Sequence, residues 1–194
     1  YGAFLMGTTP FSKKSVGIEP NHDQRKLLST EVEMYESVDH CVDEMAGTVD
    51  TVTCWHVLEH IYEPVEFLQN LGALLSEDGR IYISTPNRDE LLMQLLDTDF
   101  ASFFYRAAHP FYYGEDSLNY LCGAAGLHVL RHHQGHSWGI GNMMGWLKDK
   151  VPAGEGLILD EHQHEHIDHV WKQWMEVNQT ADTLYVVLGK GNLQ

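Results

Sequence analysis

Apolar and polar positions along this 194-residue chain follow two alternating periods. Between Glu63 and Leu75, the residues Val65, Phe67, Leu68, Leu71, Leu74 and Leu75 recur at three- and four-residue spacing, which predicts an amphipathic helix with one apolar stripe. Val49 to Trp55 (V-D-T-V-T-C-W) is rich in β-branched residues and predicts a strand. A loop is expected at His56 to Ile61, a turn at Ser76 to Gly79, and a strand over Arg80 to Ser84 that Pro86-Asn87 stops. Upstream, Gly2 to Thr8 starts a helix after a glycine turn, and Ser15 to Glu19 is a short strand ending in an acid. Pro20-Asn21 opens a helix reaching about Thr30, Val32 to Val38 is a weaker strand, and Asp39 to Ala46 a short helix. Downstream, Asp89 to Ala108 is helical and rich in Leu and Phe, and Asp116 to Ala125 is a helix closed by Gly126. Leu127 to His132 and Thr183 to Leu188 are the last strands.

Strands that alternate with helices predict an α/β sheet with helices on its faces. Gln134 to Ala181 breaks the alternation: it holds a Gly/Met/Trp-rich piece, Trp138 to Trp146, and a polar helix, Leu159 to Val177. A connection of that length tends to carry function. With no repeat and no low-complexity linker, the expected organisation is one domain, 1–194, with a mainly helical insertion at about 134–181.

Charge narrows the partners. Twelve Lys and Arg against 28 Asp and Glu give a formal charge of −16. That field repels phosphate backbones and anionic membranes, so a nucleic acid is disfavoured and a small molecule favoured. The three cysteines, Cys41, Cys54 and Cys122, are scattered and show no metal-binding spacing, so a reducing compartment, the cytoplasm, is expected. No apolar run is long enough to span a bilayer, and no signal peptide is evident. The chain opens at Tyr1-Gly2-Ala3 without Met, which suggests that something upstream is absent from it.

The run Trp55-His56-Val57-Leu58-Glu59-His60-Ile61-Tyr62-Glu63-Pro64 precedes the amphipathic helix, Leu74-Leu75, Gly79 and Thr85-Pro86-Asn87. Together with His109-Pro110, Ser117-Leu118, Ala125-Gly126-Leu127 and the upstream Val16-Gly17-Ile18-Glu19-Pro20, this order resembles the class I S-adenosylmethionine-dependent methyltransferase family. The resemblance covers roughly 1–133 and 183–190. It implies a Rossmann-like three-layer fold whose mostly parallel sheet has an antiparallel strand near the C-terminus. The family's first strand and most of its glycine-rich loop are missing from this chain. It also implies S-adenosyl-L-methionine as cofactor, with contacts from Tyr1, Gly2, Glu19, Pro20, Trp55 and His56.

Physical chemistry supports that assignment independently. In open α/β sheets, ligands bind beyond the carboxyl ends of the strands. One carboxylate at a strand end, Glu19, can accept both hydroxyls of a ribose, and Trp55 and His56 end the central strand. His60 and His109 are the candidate general bases, because imidazole titrates near neutral pH. Each also has a plainer reading, Glu19 as a solvated acid and His109-Pro110 as a structural loop.

His56, Glu59 and His60 spell H-x-x-E-H, but the pattern follows a strand instead of lying on a long helix, which excludes a zinc protease. No metal is the expectation. The alternative set His56, Glu59, His60 and His109 is similar to that of methyltransferases acting on RNA ribose hydroxyls with a divalent metal. His162, His166 and His169 share one helix face and read as a solvated face or as ligands.

The expected activity is methyl transfer to an O, N or C atom of a small molecule. The rivals are a non-catalytic binding module and a metal-dependent RNA methyltransferase. A homodimer is compatible with this reading.

Overall fold

The computed structural model describes residues 2–30, 32–151 and 161–191, with the side chains of 161–163 excepted. The strongest element is the predicted one: Val49–Trp55 forms β3, with the bounds read from its β-branched run. It pairs in parallel with β4 (Leu75–Pro86), which pairs antiparallel with β6 (Thr183–Gly189), itself antiparallel to β5 (His128–Gly135). The order is β3-β4-β6-β5, so three strands share one direction and only β6 opposes them. Two shorter strands, β1 (Val16–Ile18) and β2 (Glu33–Tyr35), pair in parallel as a separate ribbon.

The ribbon and the sheet share one core. Val16 and Ile18 pack into the same cluster as Cys54, Ile81, Ile83, Leu184 and Val186. Three helices cover that face: α3 (Val38–Met45), α4 (Pro64–Leu74) and α7 (Glu115–Ala124), through Cys41, Leu68, Leu71, Leu118 and Cys122. Across the other side, α1 (Ala3–Thr8) joins the two sheets. Its Phe4 stands edge-on to Trp55 with ring centroids 5.5 Å apart, and its Leu5 lies against Gly17 of β1. Helix α2 (His22–Leu28) is capped by Asn21, whose side chain accepts from the backbone of Asp23 and Gln24.

Two expectations change. Ser76 to Gly79 is not a turn between elements but a bulge within β4: Val49 pairs with Leu75, and Thr51 next pairs with Arg80. A Cβ on Gly79 would stand 2.7 Å from the Val49 carbonyl oxygen, so glycine permits the close approach. The single helix expected over Asp89 to Ala108 is two, α5 (Leu91–Leu96) and α6 (Thr98–Phe104). The break falls at Asp97 (φ 38°), and acidic residues tolerate positive φ better than most.

The break turns Leu92, Leu96, Phe100 and Phe104 onto Trp146, forming a second apolar cluster. Trp146 belongs to α8 (Ile140–Asp149), inside the stretch read as an insertion, and its ring lies 4.8 Å from Phe100. Met143 joins this cluster, whereas Trp138 and Met144 are exposed. The second insertion helix, α9 (Glu161–Val177), is anchored by Met175, while Trp174 and Val170 face outward.

Candidate functional site

Three segments leave the sheet at the carboxyl ends of β3, β4 and β5, and of the sequence-predicted residues Trp55, His56, Glu59, His60 and His109 lie on those that follow β3 and β4. The Thr85-Pro86-Asn87 motif holds this edge together. The buried Asn87 amide donates to Ala181 O (2.8 Å), and its Oδ1 accepts from Asp89 N (3.0 Å), which ties the tip of β4 to the start of β6. Likewise Ser117 has a structural role: its hydroxyl accepts from Gly114 N (3.0 Å) and caps α7.

His56 terminates β3 with φ 52°, an unusual conformation for a residue with a Cβ. Its backbone N–H remains bonded to Ser84 O (3.0 Å), and its Nδ1 lies 3.3 Å from Glu59 Oε1. Glu59 sits on a single 3-10 turn, Leu58–His60, that descends into the protein, and it is only 1% exposed. Burial opposes its ionisation. The His56 hydrogen bond, a backbone N–H and the nearby imidazoles outweigh burial and hold the carboxyl below its ordinary range. The same hydrogen bond raises the pKa of His56.

His60 directs Nδ1 to Ala108 O (2.9 Å), which leaves Nε2 facing away. His109 follows directly, and the two rings stand edge to face with centroids 4.5 Å apart. Burial, then the neighbouring His60, holds the pKa of His109 down, so it is a neutral imidazole. Glu59, His60 and His109 each bring a ligand-capable atom within 4.8 Å of the others. His56, the fourth residue of the expected set, is not in that trio; it is engaged with Glu59 instead.

Buried polar atoms without a partner mark the same place. Among the described residues they are Trp55 Nε1, Glu59 Oε2, Thr85 Oγ1, His109 Nδ1, Tyr113 OH and Trp171 Nε1. The first five lie on the segments that end or follow β3 and β4, a concentration that native interiors avoid unless a ligand or water completes them. Burial and the charge of Glu59 raise the pKa of Tyr113, so its phenol stays protonated beside that carboxylate. Sequence reasoning missed Tyr113; its only sequence signal is membership in the aromatic run Phe111-Tyr112-Tyr113.

The expected cofactor contacts divide. Glu19, at the end of β1, accepts from Asn21 N through Oε1 (2.8 Å) and leaves Oε2 without a described partner. Pro20 is exposed, and its carbonyl accepts from Arg25 (3.0 Å). Gly2 takes the left-handed conformation (φ 70°) ahead of α1, and a side chain there would collide with Leu28. Tyr1 lies outside the described residues. No strand pairing joins β1 to β3; the link from Glu19 to Trp55 and His56 runs through Leu5 and Phe4 of α1 instead. A hollow of about 60 Å³ beside Trp55, Tyr82 and Tyr185 lies on the sheet face and is too small for a nucleoside.

In the histidine-rich tract, His164 Nδ1 is 3.4 Å from Asp168, and Asp168 Oδ1 accepts from Ile140 N (2.8 Å), capping α8. His166 and His169 are exposed, and the side chain of His162 lies outside the described residues.

Residues 2–132 match the methyltransferase domain family. Over 53 residues the chain is 38% identical to the ubiquinone biosynthesis O-methyltransferase of Xanthomonas euvesicatoria, covering 27% of this chain and 22% of that protein. Over 90 residues it is 28% identical to the Coxiella burnetii protein of the same name, covering 46% and 37%. The chain thus matches between about a fifth and two fifths of these relatives' length. Among solved structures, a SAM-dependent methyltransferase from Archaeoglobus fulgidus superposes with a TM-score of 0.62 at 15% identity, covering 96% of this chain and 80% of that one. A SAM-dependent methyltransferase from Thermotoga maritima gives 0.59 at 12% identity, with 95% and 76% coverage. These likenesses establish a Rossmann-like fold, and no helix among the described residues is long and apolar enough to cross a membrane. By its sequence over residues 2–132, the chain belongs to the methyltransferase domain family.

Proposed function

We propose that the strand-tip site binds S-adenosyl-L-methionine and transfers its methyl group to an O, N or C atom of a small molecule. The observation that carries this reading is the convergence of unpartnered buried polar atoms on the ends of β3 and β4, in a chain of the methyltransferase domain family. The residues suit the cofactor: Glu19 has a free carboxylate oxygen at a strand end, Trp55 has a buried indole N–H without a partner, and α1 lies between them. Bound there, the cofactor supplies an electrophilic methyl on a sulfonium.

The chain's own residues do the rest. Glu19 accepts the ribose hydroxyls, Trp55 and His56 flank the methionine end, and the substrate is brought into line by the walls of the site. His109, neutral and without a partner at Nδ1, removes a proton from the acceptor, with His60 beside it. Within one domain, the insertion at about 134–181 closes on α5 and α6 through Trp146 and shapes the acceptor side. Curated relatives named for O-methylation in ubiquinone biosynthesis support a small-molecule acceptor. So does the charge of −16. Calorimetric titration with S-adenosylhomocysteine tests the reading: micromolar binding is expected, and no binding favours the non-catalytic module.

The trio Glu59, His60 and His109 favours a second reading, a divalent cation at the same site. The Ala108 carbonyl orients His60 by accepting from its Nδ1, as hydrogen-bond partners of the free ring nitrogen orient metal-bound imidazoles. The cation would hold the acceptor oxygen and lower its pKa, and His109 would then be a ligand and not a base. Elemental analysis of purified protein and titration with manganese(II) decide between these roles.

A further inference from the structure

Helices α3, α4 and α7 cover one face of the four-stranded sheet. On the other face, the pairing register sets Tyr82 of β4, Val187 of β6 and Arg131 of β5 in one row, and Trp55, Ser84, Tyr185 and His133 in the next. Val187 is the short residue of its row. It floors the hollow of about 60 Å³, which Trp55, Tyr82, Tyr185, Arg131 and His133 surround. The Tyr185 ring stands edge-on to Trp55 with centroids 6.3 Å apart and tilts against His133 at 5.9 Å, so rings close two sides. The remaining side opens to solvent, where Tyr82 is 37% exposed and Arg131 is exposed.

Arg131 sets this hollow apart. Of the five arginines, Arg25 binds Glu36 and the carbonyls of Glu19 and Pro20, and Arg80 binds the carbonyls of Asp78 and Gly79. Arg88 pairs with Asp89, and Arg106 lies over the ring of Phe103. Among the described residues Arg131 has no hydrogen bond, no ion pair and no ring beneath its guanidinium, in a chain with 28 acids. A free arginine on a bare surface needs no explanation. One at the rim of an apolar, aromatic-walled hollow is the combination that small-molecule sites use, an apolar lining with a few polar groups that fix orientation. The guanidinium fork matches a carboxylate in two parallel hydrogen bonds. Tyrosine and tryptophan rings favour edge-to-face contact with another ring. The net charge of −16 repels each further negative charge, so a monoanion suits this rim better than a phosphate dianion. The hollow is smaller than the roughly 150 Å³ closed cavity that holds benzene, so a single ring enters partway through the open side.

We infer that this hollow binds small aromatic carboxylates, with the ring seated over Val187 between Tyr82 and Tyr185 and the carboxylate paired with Arg131. The site lies on the sheet face, apart from the strand tips where methyl transfer is proposed, and borders them at Trp55.

Benzoate, benzamide and acetate are each titrated into nitrogen-15-labelled protein while the backbone amide shifts are followed. Benzoate should bind at least about tenfold more tightly than benzamide, which lacks the charge, and than acetate, which lacks the ring. The shifted amides should cluster on β4, β5 and β6 around the hollow. Arg131→Gln should erase the preference for benzoate over benzamide. Val187→Phe fills the floor and should block both aromatic ligands; if the larger side chain disturbs the sheet, Arg131→Gln, at an exposed position, carries the test. Equal affinity for the three ligands, no saturable benzoate binding, shifts centred elsewhere, or an undiminished benzoate preference in Arg131→Gln overturns the inference.

Discussion

Glu90 makes the stability of this protein depend on pH in a calculable way. Its carboxyl is raised from 4.5 to about 8 in the folded state, by burial and then by the charge of Asp182. A group raised on folding contributes stability that is complete below its unfolded pKa and is lost as pH rises through its folded pKa. The window is therefore about 4.5 to about 8, and the loss runs toward alkaline pH. Every tenfold difference in proton affinity between the folded and unfolded chain is worth about 1.4 kcal/mol, so the wild type should lose about 4 kcal/mol between about pH 5 and about pH 9 through this one side chain. The net charge of −16 also destabilises the fold as pH rises, but it acts equally on a Glu90→Gln variant. The difference between the two proteins isolates the buried acid. Urea denaturation followed by tryptophan fluorescence, repeated across this range, measures it. The variant should be nearly as stable as the wild type in acid and pull steadily ahead above neutrality. Two stability curves that run parallel from acid to alkali refute the burial argument.

Other perturbations test separate parts of the account. Trp146→Ala removes the centre of the second apolar cluster and should cost about 3–5 kcal/mol in chemical denaturation, less if α8 packs independently of α5 and α6. Gly126→Ala places a Cβ at φ 75° beyond α7 with open space around it, so backbone strain alone should cost about 1–2 kcal/mol. His109→Ala should weaken manganese(II) binding at least about tenfold by calorimetry if the trio ligates metal, and should leave the protein's metal content unchanged otherwise. Glu19→Ala should weaken S-adenosylhomocysteine about tenfold while leaving the melting temperature in place, because the side chain is partly exposed and packs on nothing in the core.

Local patterns carried much of the fold. Val49 to Trp55 announces itself because β-branched residues serve the same pleated surface all along β3. The helix from Pro64 to Leu74 shows because its stripe points at one core. The break at Asp97 was hidden, since nothing near it in sequence says that Phe100 must meet Trp146. The bulge at Ser76 to Gly79 carries the same Ser-Glu-Asp-Gly composition as a turn, and only the pairing with β3 tells them apart.

The site divided in the same way. Trp55, His56, Glu59 and His60 are contiguous and readable, and His109 joined them through its motif. The left-handed His56 and the burial of Glu59 depend on the descent of the short turn between them, which has no local signature. Tyr113 lies on the connection between α6 and α7, far in sequence from Glu59, so their meeting is a tertiary fact. Asp168, one of the acids in the histidine-rich tract, serves as the cap of α8, a role that no spacing rule assigns.

The central claim is tested most directly by a crystal structure of the protein with S-adenosylhomocysteine. The account predicts density across the strand ends, with the ribose hydroxyls on the free oxygen of Glu19 and the sulfur facing Trp55 and His56. Ligand density elsewhere on the protein, with Glu19 facing solvent and the unpartnered groups of Trp55, Thr85 and Tyr113 filled only by water, would contradict it.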